Sequence, residues 1–211
     1  MKRAERELQI LNHLITREKG HWEQGVFPAG MDEVGRGPLA GPVLTCAIVM
    51  PSDPLILGVN DSKKISERKR ERLYDEIISC ALQVGIGMRD EACIDRINIL
   101  EATKQAFCEA AEQLQPAPPL MLIDAVRGVP LHMPQEIIVR GDNESYLIAA
   151  ASIVAKVTRD RMMIDYDQAY PEYGFARNKG YGTAEHIAAI RKYGPCPIHR
   201  RSFIRKFLSE I

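Results

Sequence analysis

Three extended, apolar stretches of this sequence end on acids. A short strand from about 26 runs into Met31-Asp32-Glu33, the buried-type strand Leu120–Asp124 closes on Asp124, and Glu136–Arg140 leads through Gly141 to Asp142. Carboxylates at the ends of strands in one sheet can converge on a common edge however far apart they lie in sequence. The remaining predicted elements suit such a sheet. The Gly-rich turn 35–37 and the apolar stretch 42–50 complete a hairpin with the first strand, and 81–88 alternates as a third strand. Ser66 and Glu67 open a helix to about Cys80, with Leu73, Ile77 and Cys80/Ala81 on its inner face. A second helix, from about Asn98 to Leu114, carries Leu100, Thr103, Phe107, Ala110 and Leu114 at helical spacing and breaks at the prolines of 116–119. The longest helix, 144–166, contains Ile148-Ala-Ala-Ala-Ser-Ile-Val-Ala-Lys156, whose small side chains let it back closely onto a sheet. Two helices near 183–193 and 200–209 follow. Hairpin strands followed by strand–helix alternation predict an α/β fold, a mixed sheet flanked by helices. Residues 3–18 read as an amphipathic helix with Leu8, Leu11, Leu14 and Ile15 on one face, part of an N-terminal appendage at 1–24.

A length of 211 residues suits one domain with such an appendage. Lys+Arg and Asp+Glu balance at 28 each, so net charge does not point to nucleic acid, but its distribution does. Arg177, Lys179, Arg191, Lys192, Arg200, Arg201, Arg205 and Lys206 stand against a single acid, Glu185. That stretch reads either as a basic binding face or as a solvated helical surface. No apolar run is long enough to span a bilayer and the N-terminus lacks a signal-peptide core, so the expected location is the cytoplasm and no membrane partner is expected. The cysteines are scattered, without a Cys-x-x-Cys pair, and read as reduced thiols rather than a zinc cluster or disulfide framework.

Clustered carboxylates repel one another, at a cost of order 1 kcal/mol per pair near 4 Å even in water. A divalent cation removes that cost, and magnesium and manganese prefer hard oxygen ligands shared with substrate phosphates. The chemistry this supports is phosphodiester hydrolysis with two ions, one lowering the pKa of a water and the other stabilising the departing 3′ oxygen. Helix capping or turn formation is the competing role, above all for Asp142, which sits just before a helix.

The surroundings of these acids resemble a known family. Met31-Asp32-Glu33-Val34-Gly35-Arg36-Gly37-Pro38-Leu39-Ala40-Gly41-Pro42-Val43 is similar to the opening signature of the type 2 ribonucleases H (ribonuclease HII). Further blocks agree in order: Asn60-Asp61-Ser62-Lys63-Lys64, Ile123-Asp124, Gly141-Asp142 leading into Ile148–Asp160, Lys179-Gly180-Tyr181-Gly182-Thr183, His186, and His199-Arg200-Arg201-Ser202-Phe203. The resemblance runs from about 26 to 206. It implies an RNase H-like catalytic domain over 25–211, with a C-terminal helical extension from about 167. It implies an endonuclease that hydrolyses the RNA strand of RNA–DNA hybrids and incises 5′ of single ribonucleotides in duplex DNA, leaving 3′-hydroxyl and 5′-phosphate ends. The family's metal-binding acids fall on Asp32, Glu33, Asp124 and Asp142, with Mn2+ or Mg2+ as cofactor. Its Gly-Arg-Gly element falls on Gly35, Arg36 and Gly37, where glycines let backbone amides approach a sugar and read its 2′-hydroxyl. Read alone, the same three residues suit a plain hairpin turn. Tyr181 matches the tyrosine that packs on the deoxyribose after the ribonucleotide, although a half-buried tyrosine in a Gly-rich loop is the ordinary alternative. Lys63 matches a phosphate-contacting lysine. His199 and Arg200 are expected near the nucleic-acid face without a catalytic part, and Asp160 as a surface or ion-pair acid between arginines.

Two departures from the family pattern bear on substrate contacts rather than on catalysis. Ala125 follows Asp124 where glycine is common, and Asp142-Asn143-Glu144-Ser145-Tyr146 is bulkier than expected. The alternatives are a catalytically silent hybrid-binding module, a nucleotide hydrolase and a type 1 ribonuclease H. All four acids are present, which disfavours the first. No Gly-x-x-x-x-Gly-Lys-Ser/Thr loop supports the second, and Gly-Arg-Gly with Tyr181 argues against the third. A monomer is the default expectation.

Overall fold

The computed structural model describes residues 3–208; residues 1–2 and 209–211, inside the expected bounds of the appendage and the C-terminal extension, lie outside the described residues. Strands β1 (Ala29–Val34), β2 (Val43–Val49), β3 (Gln83–Arg89), β4 (Met121–Asp124) and β5 (Gln135–Ile138) form one sheet in the order β3-β2-β1-β4-β5. β1 is antiparallel to β2 and parallel to β4; β2 and β3 pair antiparallel, β4 and β5 parallel. The helices are α1 (Arg3–Leu14), α2 (Thr16–Trp22), α3 (Glu67–Cys80), α4 (Glu91–Ile97), α5 (Ile99–Glu112), α6 (Tyr146–Ala169), α7 (Phe175–Asn178), α8 (Ala184–Tyr193) and α9 (Arg201–Leu208). The expected mixed sheet, flanking helices and helical C-terminal region are all present. No helix among the described residues is long and apolar enough to cross a membrane.

α6 covers one sheet face and α5 the other. The alanine-rich start of α6 packs with Leu44, Cys46, Ile48 and Leu122, while Phe107 and Ala110 of α5 pack with Met31, Ala47, Met121 and Ile123. Both helices come so close that a side chain at the crossing would collide with backbone. A Cβ on Gly30 would sit 2.3 Å from the Leu147 carbonyl carbon, and one on Gly87 would sit 1.8 Å from the Ala106 oxygen. Side chains of α5 and its C-cap also cover the β3 edge: Gln113 bonds both the N–H (3.1 Å) and the C=O (2.6 Å) of Ile86, and Glu109 accepts from Met88 N–H (3.0 Å).

Several expected boundaries move, each for a local reason. The N-terminal helix divides at Ile15, and Leu8 is exposed while Leu11 and Leu14 enter the main core. The helix expected from Asn98 is preceded by another, α4, capped by Asp90, whose side chain accepts from Cys93 N–H at 2.8 Å. Asn98, at φ +71°, ends α4 and caps α5, which leaves Leu100 exposed. The strand expected to reach Arg140 stops at Ile138, because Val139 turns outward and Arg140 takes φ +57°, outside the sheet region.

Candidate active site

The sheet order sets β4 between β1 and β5, and so brings the acid-bearing strand ends together. Side chains alternate along a strand, which places Asp32 and Asp124 on the α6 face with Cys46 and Leu122. Asp124 Oδ1 accepts from the Gly141 N–H at 2.7 Å, tying the end of β4 to the 3-10 turn Gly141–Asn143 that carries Asp142. Asp142 does not cap α6. Ser145 does, accepting from Ile148 N–H at 3.2 Å, and buried Glu18 of α2 accepts in turn from the Ser145 hydroxyl and from Leu147 N–H (3.2 Å). Asp142 is thereby left free of the helix end and turned towards the other acids.

The electrostatics of the four acids are those of an unneutralised cluster. Burial, then the charges of Glu33, Asp124 and Asp142, hold the Asp32 carboxyl well above the usual carboxylate range. Burial also lifts Glu33 to about 7; Arg36 beside it (Nη1 to Oε1, 3.3 Å) works against that lift and Asp124 adds to it. Asp124 is raised by burial despite the Gly141 N–H and Lys63, and Asp142 by burial with Asp61 and Asp124. Glu33 Oε2 is buried without a hydrogen-bond partner. Among the described residues no three His, Cys, Asp or Glu side chains close into a ready-made metal cage. What stands there is an open set of hard oxygen donors with an orphaned carboxylate oxygen. That set fits divalent cations whose coordination is completed by water and phosphate.

Positive and apolar groups border this row. Lys63, although partly desolvated, is held in its charged form by Asp32, Asp142, Asp61 and the Tyr181 hydroxyl. Asp61, buried and bonded to Lys63 N–H (2.9 Å), is a fifth acid at the site that the sequence reading passed over. The Gly35–Gly37 turn follows β1 one residue beyond Glu33, with Gly35 at φ +90°. Tyr181, 43% exposed, lies beside it: a Cβ on Gly37 would meet the Tyr181 ring edge at 3.7 Å.

Arg200, expected near a nucleic-acid face, is not at the surface. It is fully buried, and its guanidinium donates to the carbonyls of Gly35 (2.6 Å), Arg36 (3.0 Å) and Gly41 (2.7 and 2.9 Å). Arg159 of α6, equally buried, donates to Pro42 (2.9 Å), Ala40 (3.0 Å) and Lys179 (2.9 Å). The two arginines lash the turn to the C-terminal region. The only sequence signal for Arg159 is its place after a run of small apolar residues; for Arg200 there is none within a basic stretch. His199 is buried as well and structural, bonded to His186 and Cys196. Asp160 forms the expected ion pair, with Lys156 at 2.6 Å, but is buried rather than at the surface. Of the basic stretch, Arg177 pairs with Glu185 (3.2 Å), and α9 turns Arg201, Arg205 and Lys206 outward.

A family model described as Ribonuclease HII matches residues 29–206. The chain is 54% identical to a ribonuclease HII of Geobacter metallireducens over 95% of its own length and 92% of the relative's. Its structure is similar to that of the ribonuclease H2 from Pyrococcus horikoshii OT3, with TM-score 0.75 and 26% identity over 88% of this chain and 98% of that one. It also shares the fold of a Bst ribonuclease HIII solved in complex with Mn2+ (TM-score 0.69, 20% identity, 88% of this chain and 70% of that one).

Proposed function

The chain belongs to the ribonuclease HII family and is a metal-dependent type 2 ribonuclease H, and from that premise we propose that it hydrolyses the RNA strand of RNA–DNA hybrids and incises 5′ of single ribonucleotides in duplex DNA, with Asp32, Glu33, Asp124 and Asp142 holding divalent metal ions. The observation that carries this reading is the gathering of the four acids, each raised by burial and three of them also by another acid of the group, with a buried Glu33 oxygen left unpartnered. Two ions there, Mn2+ or Mg2+, would make hydroxide available from water and balance charge on the departing 3′ oxygen, giving 3′-hydroxyl and 5′-phosphate ends.

The chain's own residues supply the rest. Arg36 steadies Glu33 from one side. Lys63 projects a positive charge beside the row, where a substrate phosphate would lie. Gly35 and Gly37 present backbone without side chains, which suits close approach to a ribose 2′-hydroxyl. Tyr181 next to Gly37 offers an aromatic face to the following deoxyribose, a place where a second 2′-hydroxyl fits less well. The enzyme is proposed to work as a monomer in the cytoplasm.

The test is cleavage of a duplex containing one ribonucleotide, with and without divalent metal, mapping the cut. Asp124→Asn is expected to lower turnover on the order of 10²–10³-fold or more while leaving binding largely intact. Wild-type turnover by that variant overturns the reading. Binding without metal-dependent cutting would instead favour a silent hybrid-binding module.

A further inference from the structure

Tyr181 is held in place from the interior of the protein. Its carbonyl oxygen accepts from Thr183 N–H at 2.8 Å and lies 2.9 Å from His186 Nδ1. A carbonyl can only accept, so His186 carries a hydrogen on Nδ1. His186 Nε2 lies 3.0 Å from His199 Nε2, and two ring nitrogens at that distance share one hydrogen. Burial disfavours the charged form of both rings, taking His186 down and His199 to about 4. Both rings are therefore neutral at ordinary pH. His186 already bears its single hydrogen on Nδ1, so the shared hydrogen belongs to His199 Nε2. His199 Nδ1 must then be bare, and the Cys196 backbone N–H donates to it at 3.0 Å, with Cys196 Sγ also 3.0 Å away. Each assignment forces the next.

This chain of hydrogen bonds spans the two loops that border the proposed ribose site. Ala40 forms an isolated β-bridge with His199, Gly41 N–H donates to Ile198 C=O (2.8 Å), and Leu39 N–H donates to Gly180 C=O (2.8 Å). The rings are fully buried and walled by Tyr173, 4.8 Å from His199 between centroids, and Phe175, 5.3 Å from His186. Neither histidine can reach substrate. We infer that His186 and His199 are positioning residues: a neutral, proton-ordered relay that sets Tyr181 against the Gly35–Gly37 turn and so governs how well the enzyme selects a ribonucleotide followed by deoxyribose.

The inference rests on Tyr181 being the sugar-contacting residue, and the experiment separates the two. On the full-length enzyme, kcat/KM is measured on a duplex with one ribonucleotide and on a continuous hybrid, for wild type, Tyr181→Ala, His186→Leu, His186→Asn and the double variant Tyr181→Ala/His186→Leu. His186→Leu is expected to lower the lone-ribonucleotide to hybrid ratio by about tenfold. His186→Asn, whose amide N–H replaces the Nδ1 donor, is expected to restore most of that ratio, and His186→Leu should change nothing further in the Tyr181→Ala background. An unchanged ratio for Tyr181→Ala defeats the sugar-contact reading. A lowered ratio for Tyr181→Ala with an unchanged one for His186→Leu, or an equal loss on both substrates, defeats the relay. Nitrogen-15 NMR of the wild-type rings decides independently of any variant's folding: protons on His186 Nδ1 and His199 Nε2 are expected, and any other tautomer pair overturns the inference.

Discussion

Two groups of charge meet at β1 and its turn, and they are resolved in opposite ways. The arginines are closed. Every carbonyl that Arg159 and Arg200 meet is an acceptor, and their fixed forks of donors match oxygens contributed by 35–42 and 179. Burial pulls both guanidiniums down, to about 10 and about 9, still charged at neutral pH. The acids are open. Asp32, Glu33, Asp124 and Asp142 face like charges, and every one of them is pushed towards its protonated form. Burial alone therefore does not mark a functional site. A buried charge with its hydrogen bonds complete is a strut, whereas one left with repulsion and an unused lone pair is arranged for a ligand.

The strongest way to break this contrast is to remove a strut. Arg200→Ala leaves the buried carbonyls of Gly35, Arg36 and Gly41 without their donor. At about 1–3 kcal/mol for each unsatisfied group, partly relieved by water, the expected loss is about 4 kcal/mol in chemical denaturation. Arg200→Lys should recover little, because a single ammonium on a flexible stem cannot serve three carbonyls at once. Wild-type stability of Arg200→Ala would show that the turn needs no strut.

A smaller effect sharpens the other half. Each acid of the row has a folded pKa above its unfolded value, so between the two the folded protein holds protons that the unfolded chain has released. Stability must then fall as pH rises through that window and level off above it. For Glu33 the window runs from 4.5 to about 7, a change on the order of 3 kcal/mol. Added Mn2+ or Mg2+ should reverse the fall, raising the melting temperature more at pH 8 than at pH 5. Glu18 is raised too, by burial, but is enclosed by Ser145 and Leu147 and gains nothing from metal. A metal-induced shift that is equal at both pH values would mean the ions act elsewhere.

The same contrast explains what the sequence made legible. Asp32, Glu33 and Asp124 announce themselves because they lie at or near the ends of apolar strands, which are set by local pattern, and Asp142 because it follows such a strand through a short turn. Ser66 capping α3 is equally local, with its neighbours within three residues. Arg200 is different. In sequence it is one more cation in a basic stretch, and its burial depends on a loop about 160 positions away. His186 and His199 likewise acquire their meaning only from each other and from Tyr181. The misplaced boundaries have a nearer cause: Asn98 and Arg140 both adopt positive φ, which neither residue type demands and which ends one element and starts another.

The smallest predicted effect carries the sharpest sign. Asp32→Asn should inactivate the enzyme, yet in the absence of metal it should make the protein more stable at pH 8, by about 1 kcal/mol, because one repulsive charge is removed from the row. At pH 5 the gain should be smaller, since burial and the neighbouring acids raise the Asp32 pKa, and lower pH moves its carboxyl towards the neutral form that the amide mimics. The extra stabilisation by divalent ions at pH 8 should shrink in the same variant. Denaturation at the two pH values, with and without metal, gives all three numbers. A loss of stability at pH 8 would mean that Asp32 is already satisfied in the folded chain, and that the row is as closed as the arginines beside it.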